Sequence, residues 1–198
     1  MSNLINDSLT IQHYLHYWGD YQNVYEINHA PSVFKRPLRI VEFSPESEDQ
    51  DWVYATVGMS SKSMPYPDSW VGERSENRAE LFIYSREKNE KIIDVLVPLS
   101  EYPFIHNTFL GVGHTVPGRT GIGGNAALTD ILVLRPMGEE PEFEIIHQAP
   151  DIHVQMLWLV PIYDSERLFI KKKGWNSLVD IFFEKRTETS DFSRKRVV

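Results

Sequence analysis

The sequence predicts an α+β fold with a central mixed β-sheet flanked by helices, in a single domain. Short segments rich in β-branched and aromatic residues recur along the chain, whereas only a few stretches have helical periodicity. Strands interleaved with so few helices argue against a regular doubly wound parallel sheet. The chain has 198 residues, 41% of them apolar, and a chain of this size buries about 70% of its unfolded surface. Because no linker or repeat divides it, we expect one domain over residues 1–186 and a polar, disordered tail over 187–198.

The N-terminal half is predicted to begin with a helix and to continue as strands. Ser8 can cap a helix that ends at about Trp18, with Gly19 as its stop signal. Strands are predicted over 24–27, 38–43, 52–58 and 78–84. A polar loop over 60–77 contains Trp70, and an aromatic residue in such surroundings is a reasonable partner contact.

The C-terminal half carries the most apolar part of the chain. A helix is predicted over about 87–102, although Pro98 should end or kink it. The long stretch over 103–128 is predicted to be irregular, and strands follow over 130–136 and 143–147. The apolar run 153–163 reads as a buried strand, and two short helices are predicted after it, from Asp164 and from Gly174.

Composition excludes several classes of function. There is no cysteine, which rules out disulfides, thiolate nucleophiles and cysteine-based metal sites. No run approaches the roughly 18 apolar residues of a membrane span, and the N-terminus lacks the features of a signal peptide, so we expect a cytoplasmic protein with no membrane partner. The formal net charge of −8 disfavours nonspecific nucleic-acid binding, which demands a basic surface.

The acidic residues are unevenly distributed. A cluster occupies positions 42–51, namely Glu42, Glu46, Glu48, Asp49 and Asp51. Such a cluster is either a solvated loop or an electrostatic face for a basic partner. Together with Trp70, these five acids form the candidate partner-binding set.

Neither glycine nor histidine yields a clear catalytic site. The segment from Gly111 to Gly124 is glycine-rich, but it has neither a Walker sequence nor the spacing of a dinucleotide fingerprint. It is either a loop of tight turns or a mobile recognition loop. His13 and His16 share a predicted helix, and His147 and His153 can meet only in a hairpin; neither pair has the third ligand that zinc requires. We therefore predict no catalytic residue, no cofactor and no metal, and we expect a protein that is not an enzyme.

The order of elements resembles the Suppressor of fused domain family over about residues 50–185. The resemblance lies in the strand ending in Tyr54–Ser60, in Ala79–Ile83 passing into a helix, and in Asn107-Thr108-Phe109 with Gly113-His114. The last block adds a long apolar strand followed by acidic Asp164 and Glu166 and by a closing helix with Trp175 and Leu178.

The resemblance implies a mixed sheet flanked by helices that binds proteins without catalysis. Animal relatives sequester Gli-type transcription factors with the help of a second, C-terminal domain, for which we expect no counterpart here, whereas short single-domain members resemble bacterial immunity proteins and antitoxins. Combined with the acidic charge, this favours an immunity protein or antitoxin that neutralises a cognate secreted toxin with a basic surface. The alternatives are a regulatory protein-binding module for an endogenous partner, and a small-ligand or metal-dependent enzyme built on the Gly111–Gly124 loop with His106 and His114.

Overall fold

The computed structural model describes residues 2–28, 33–34, 37–65, 76–118 and 121–198. In this part of the chain the helices are α1 (Ser2–Trp18), α2 (Ile93–Ile105), α3 (Asp164–Lys173) and α4 (Trp175–Glu184). The strands are β1 (Tyr21–Ile27), β2 (Leu38–Phe43), β3 (Trp52–Val57), β4 (Glu76–Ser85), β5 (Thr115–Val116), β6 (Leu128–Leu134), β7 (Ile145–Ala149) and β8 (Ile152–Tyr163). None of these helices is long and apolar enough to cross a membrane.

The strands form one mixed sheet in the order β1-β2-β3-β4-β8-β6-β5, and β7 pairs with β8. β8 runs parallel to β4 and antiparallel to β6 and β7, and the other neighbouring strands are antiparallel. The 12-residue strand β8 is therefore the centre of the fold, because it is bonded to three other strands. The predicted α+β class with a central mixed sheet is confirmed.

Strand alternation places helices on both faces of the sheet. Residues two apart share a face, and Ile40, Leu81 and Leu157 pack with Leu96 and Leu99 of α2. The opposite face carries two separate clusters. Val41, Phe82 and Met156 pack with Tyr14 of α1, whereas Val160 and Ile162 pack with Leu178 and Phe182 of α4. Trp158 of β8 touches both clusters, so it lies where the α1 layer ends and the α4 layer begins.

Several boundaries differ from those expected. α1 begins at Ser2 rather than at Ser8, and α2 continues through Pro98 and Pro103 to Ile105. Tertiary packing overrides the helix-breaking tendency of proline here, since Val95, Leu96, Leu99 and Pro103 itself are buried in α2. The stretch over 103–128 contains the short strand β5, which was not predicted.

Residues 187–198, whose polar composition predicted disorder, make specific contacts with the domain. Phe192 and Arg194 are only 8% and 7% exposed. The Arg194 guanidinium forms an ion pair with Glu166, with an Nη2–Oε2 distance of 2.8 Å. One aromatic residue and one paired charge thus anchor a segment that is otherwise polar.

Candidate functional site

A groove of about 520 Å³ opens on the face of the sheet that carries α1 and α4. The groove is lined by the end of α1, with Tyr17 and Trp18, and by the segment 187–190 that follows α4. Tyr84 of β4 and Trp158 of β8 also line it, with their ring centroids 5.7 Å apart. The groove therefore occupies the gap between the two helical layers, where sheet residues that would otherwise be covered remain accessible.

The groove combines aromatic rings with carboxylates. Trp18 lies 5.3 Å from Phe43 and 6.5 Å from Tyr84, measured between ring centroids. Five acidic residues contribute to the lining: Glu46, Asp49, Asp51, Glu139 and Glu188. Among the described residues that line the groove, none is lysine or arginine. Carboxylates beside aromatic faces favour a cation, which gains both charge pairing and cation–π attraction.

Glu139 is held in place by the aromatic wall. Its Oε1 accepts a hydrogen bond of 2.7 Å from Trp18 Nε1 and a second from the Tyr84 hydroxyl. Burial, reinforced by the negative charge of Glu139, raises the pKa of Tyr84 far above its usual range, so this hydroxyl stays protonated and donates. These bonds fix one carboxylate of the groove before any partner arrives.

Asp51 has unused hydrogen-bonding capacity. Its Oδ1 is buried and has no hydrogen-bond partner in the described part of the chain. Buried carboxylate oxygens are normally paired, and an unpaired one favours a donor supplied from outside. Asp51 also lines the groove, so its carboxylate adds to the negative charge there.

An apolar shelf adjoins the groove and shares Gly138, Trp158, Thr187 and Thr189 with it. The shelf has a volume of about 340 Å³ and includes Leu134, Val179 and Phe182. Two large apolar side chains on it are exposed, Met137 at 42% and Phe183 at 67%. Groove and shelf together form a continuous surface that is acidic at one end and mainly apolar, with Arg186, at the other.

The structure separates the predicted partner-binding residues. Glu46, Asp49 and Asp51 line the groove, and Glu48 is exposed in the same turn without lining it. Trp70 lies outside the described residues.

The prediction that Glu42 contacts a partner is corrected, because its side chain is fully buried and cannot belong to a docking face. Its carboxylate accepts from the Tyr25 hydroxyl at 3.1 Å and pairs with Lys88 Nζ at 3.0 Å. The reason is strand alternation. Glu42 lies in β2 two residues from Ile40 and shares its α2 face, opposite to the groove.

Sequence reasoning missed most of the other lining residues, among them Trp18, Tyr84, Glu139, Trp158 and Glu188. They are dispersed over the chain, and only folding brings them together. Trp158 was expected in the core because its neighbours are apolar, but the gap between the helical layers leaves it half-buried.

The glycine-rich segment is fastened to its surroundings. Asn89 Nδ2 donates to the Gly123 carbonyl at 2.9 Å, and Asn125 Nδ2 donates to the Phe192 carbonyl at 2.7 Å. A Cβ at Gly123 would lie 1.9 Å from the Phe192 ring, so this glycine is required by close packing. These contacts support the interpretation as a loop of tight turns.

Apart from one pair, the histidines in the described part of the chain lie apart from one another. His114 packs on Phe109 and His106 on Tyr102, with ring centroids 4.7 and 4.6 Å apart. His13 lies 3.0 Å from the Phe143 carbonyl, whereas His147 and His153 meet across a hairpin. Within the described ranges, no group of three or more histidine, aspartate or glutamate residues is placed to hold a metal ion.

Comparison with known proteins gives a consistent picture. A family model described as Suppressor of fused protein matches residues 35–195. The crystal structure of a Suppressor of fused homologue from Neisseria gonorrhoeae is similar over 98% of both chains, with 20% identity and a TM-score of 0.75. The structure of the Sufu–Fu complex is similar over 99% of this chain and 92% of the other, with 12% identity and a TM-score of 0.66.

Drosophila Suppressor of Fused also matches, with 13% identity and a TM-score of 0.66, and this chain covers 51% of its length. No curated protein shows significant sequence similarity to the chain.

Proposed function

Because the chain belongs to the Suppressor of fused family, we propose that it acts by binding a protein partner, without catalysis, through the acidic groove and the apolar shelf. The partner segment that fits this surface carries lysine or arginine next to large apolar side chains. The cation enters the groove and the apolar residues cover Met137 and Phe183.

One observation carries this proposal: among the described residues, the groove is lined by five carboxylates and several aromatic rings and by no lysine or arginine. An unneutralised acidic concavity concentrates negative potential, which attracts a basic partner and raises its association rate. The exposed Phe183 beside it provides the type of apolar anchor that contributes most to interface energy. The Sufu–Fu complex is an example of a protein with this fold bound to another protein.

In its most specific form, the proposal is that the chain is a cytoplasmic immunity protein or antitoxin that covers a basic surface of a cognate secreted toxin. Toxins that cleave nucleic acid need basic clefts to hold phosphates. An acidic groove is complementary to such a cleft, and its occupation would exclude the toxin's substrate.

Co-expression with the protein encoded by the adjacent gene tests the specific form. We expect cells that produce both proteins to grow, cells that produce the neighbour alone to die, and the two proteins to co-purify. Equal killing with and without this chain, with no complex formed, would refute the toxin as partner.

Charge-removing variants test the groove independently of the partner's identity. The triple variant Glu46→Gln/Asp49→Asn/Glu188→Gln neutralises three exposed groove acids. The matched control Glu26→Gln/Glu87→Gln/Asp180→Asn removes the same charge from exposed positions outside the groove. At low salt we expect the groove variant to slow association about tenfold or more and the control less than about twofold.

Equal effects of the two triple variants would show that net charge, and not the groove, directs binding. Phe183→Ser tests the shelf, and we expect it to weaken binding at least about tenfold while leaving the thermal unfolding temperature unchanged.

A regulatory module for an endogenous partner is the second candidate, favoured by the Sufu–Fu complex. If the adjacent gene product proves harmless, a partner captured from the native cell should bind the wild-type chain and the control triple variant, but not the groove triple variant.

A further inference from the structure

The β7–β8 hairpin brings two imidazoles into contact on a part of the molecule that the docking surface does not use. His147 and His153 are directly paired across the two strands. Their Nδ1 atoms lie 2.9 Å apart, and their rings are nearly perpendicular, at 81°. His147 is exposed and His153 is half-buried. The pair is therefore accessible to a small solute.

The pair is built on a firm support. His153 lies on β8, which is bonded to β7 on one side and, through the pairing of His153 with Asn77, to β4 on the other. In β8, His153 alternates with Val154 and Met156, which pack with the α1 cluster, so it faces away from the groove. Any ligand of this pair therefore binds independently of a partner in the groove.

The geometry favours one class of ligand. If one imidazole carries its proton on Nδ1 and the other on Nε2, the first donates a hydrogen bond to the Nδ1 of the second. If both carry their protons on Nε2, the lone pairs of the two Nδ1 atoms point toward each other. Metal–nitrogen bonds of about 2.0 Å place cis ligands about 2.8 Å apart at 90° and about 3.3 Å apart at a tetrahedral angle. At the observed 2.9 Å, both nitrogens can reach one metal ion. Tetragonal coordination by nitrogen is typical of Cu(II) and, with lower affinity, of Ni(II).

We propose that His147 and His153 form a two-histidine site for divalent copper, with water completing the coordination. Both imidazoles bind through Nδ1 and carry their protons on Nε2. Zn²⁺ binds less well, because the Irving–Williams order favours copper at nitrogen ligands.

Titration of the metal-free, untagged full-length protein with CuCl₂ tests the site. Electron paramagnetic resonance should show one tetragonal Cu(II) per chain with coupling to two imidazole nitrogens. His147→Ala and His153→Ala should each weaken copper binding at least about tenfold, because each leaves a single histidine ligand. His16→Ala is the matched control, since it removes an exposed histidine elsewhere. Its copper affinity should equal that of the wild type.

A second measurement keeps the result independent of any loss of folding. Copper should raise the thermal unfolding temperature of the wild type and of His16→Ala, but not that of His147→Gln or His153→Gln. The proposal is overturned if either hairpin variant retains wild-type affinity, or if copper stoichiometry falls equally with His16→Ala. It is also overturned if Zn²⁺ displaces Cu²⁺ at equal concentration.

Discussion

Arg194 provides the sharpest test of how the polar C-terminal segment is held. Its guanidinium binds Glu166 with two nitrogens, each 2.8 Å from a different carboxylate oxygen, and Nη2 also donates to the Pro161 carbonyl at 2.9 Å. The side chains of Arg194 and Glu166 are 5% and 0% exposed. The guanidinium also packs over the rings of Tyr163 and Phe182, at 5.2 and 5.1 Å.

Arg194→Ala leaves the Glu166 carboxylate buried without its counter-charge. Two backbone N–H groups, of Tyr163 and Val197, still donate to it at 2.9 and 3.0 Å, so it is not entirely unpaired. Removal of one partner from a buried pair costs about 3–5 kcal/mol. The two remaining bonds place the expected loss in the free energy of unfolding at the lower end of that range, about 3 kcal/mol.

Urea unfolding followed by circular dichroism measures the loss, and hydrogen exchange locates it. The Val197 amide, which donates to Glu166, should lose its protection from exchange first. The double variant Arg194→Met/Glu166→Leu should be less destabilised than the sum of its single variants, because it leaves no isolated charge. A loss below about 1 kcal/mol, with Val197 still protected, would refute the role of the pair as the anchor of this segment.

Three further outcomes follow from the described contacts. Glu80→Leu removes a buried carboxylate that accepts hydrogen bonds from two backbone N–H groups and two hydroxyls. Urea unfolding should show that the free energy of unfolding falls by about 3 kcal/mol or more, and Glu80→Gln should cause a smaller loss. Gly123→Ala should cost about 1–3 kcal/mol by the clash with Phe192, whereas Gly138→Ala, which meets no atom within 4 Å, should be neutral in the same assay. Burial lowers the pKa of His13 in the folded protein. Because the unfolded chain therefore binds this proton at a higher pH, the free energy of unfolding should fall as the pH drops from about 7 to 5. His13→Gln should reduce this dependence of the free energy of unfolding on pH.

The fold was predictable because the hydrophobic periodicity and the positions of the turn-forming residues indicate the same elements over most of the chain. Strands β2 and β8, for example, are apolar runs bounded by turn residues, and their predicted bounds agree closely with the observed ones. Predictions were less accurate where long-range packing decides, as for α2 with its two internal prolines and for the anchored segment 187–198. No local pattern reveals that a distant Glu166 will pair with Arg194.

The candidate site was only half predictable for the same reason. The acidic turn is visible in the sequence, and it supplies Glu46, Asp49 and Asp51 to the groove. Its neighbour Glu42 looks equivalent in a list of charges, but it belongs to a strand and faces the other side of the sheet. Glu139, in contrast, joins the groove from a distant turn because Trp18 and Tyr84 hold it there.

Strand β8 explains how one sheet can carry the two proposed binding sites. Trp158 on its one face contributes to the groove, and His153 on its other face contributes to the histidine pair. Residues on a central strand that is hydrogen-bonded to three other strands lose little further conformational freedom when a ligand binds, which reduces the entropic cost of association. The groove and the histidine pair are therefore preorganised by the same element. Because they face opposite sides of the sheet, copper at the hairpin should leave the affinity of the groove for its partner unchanged.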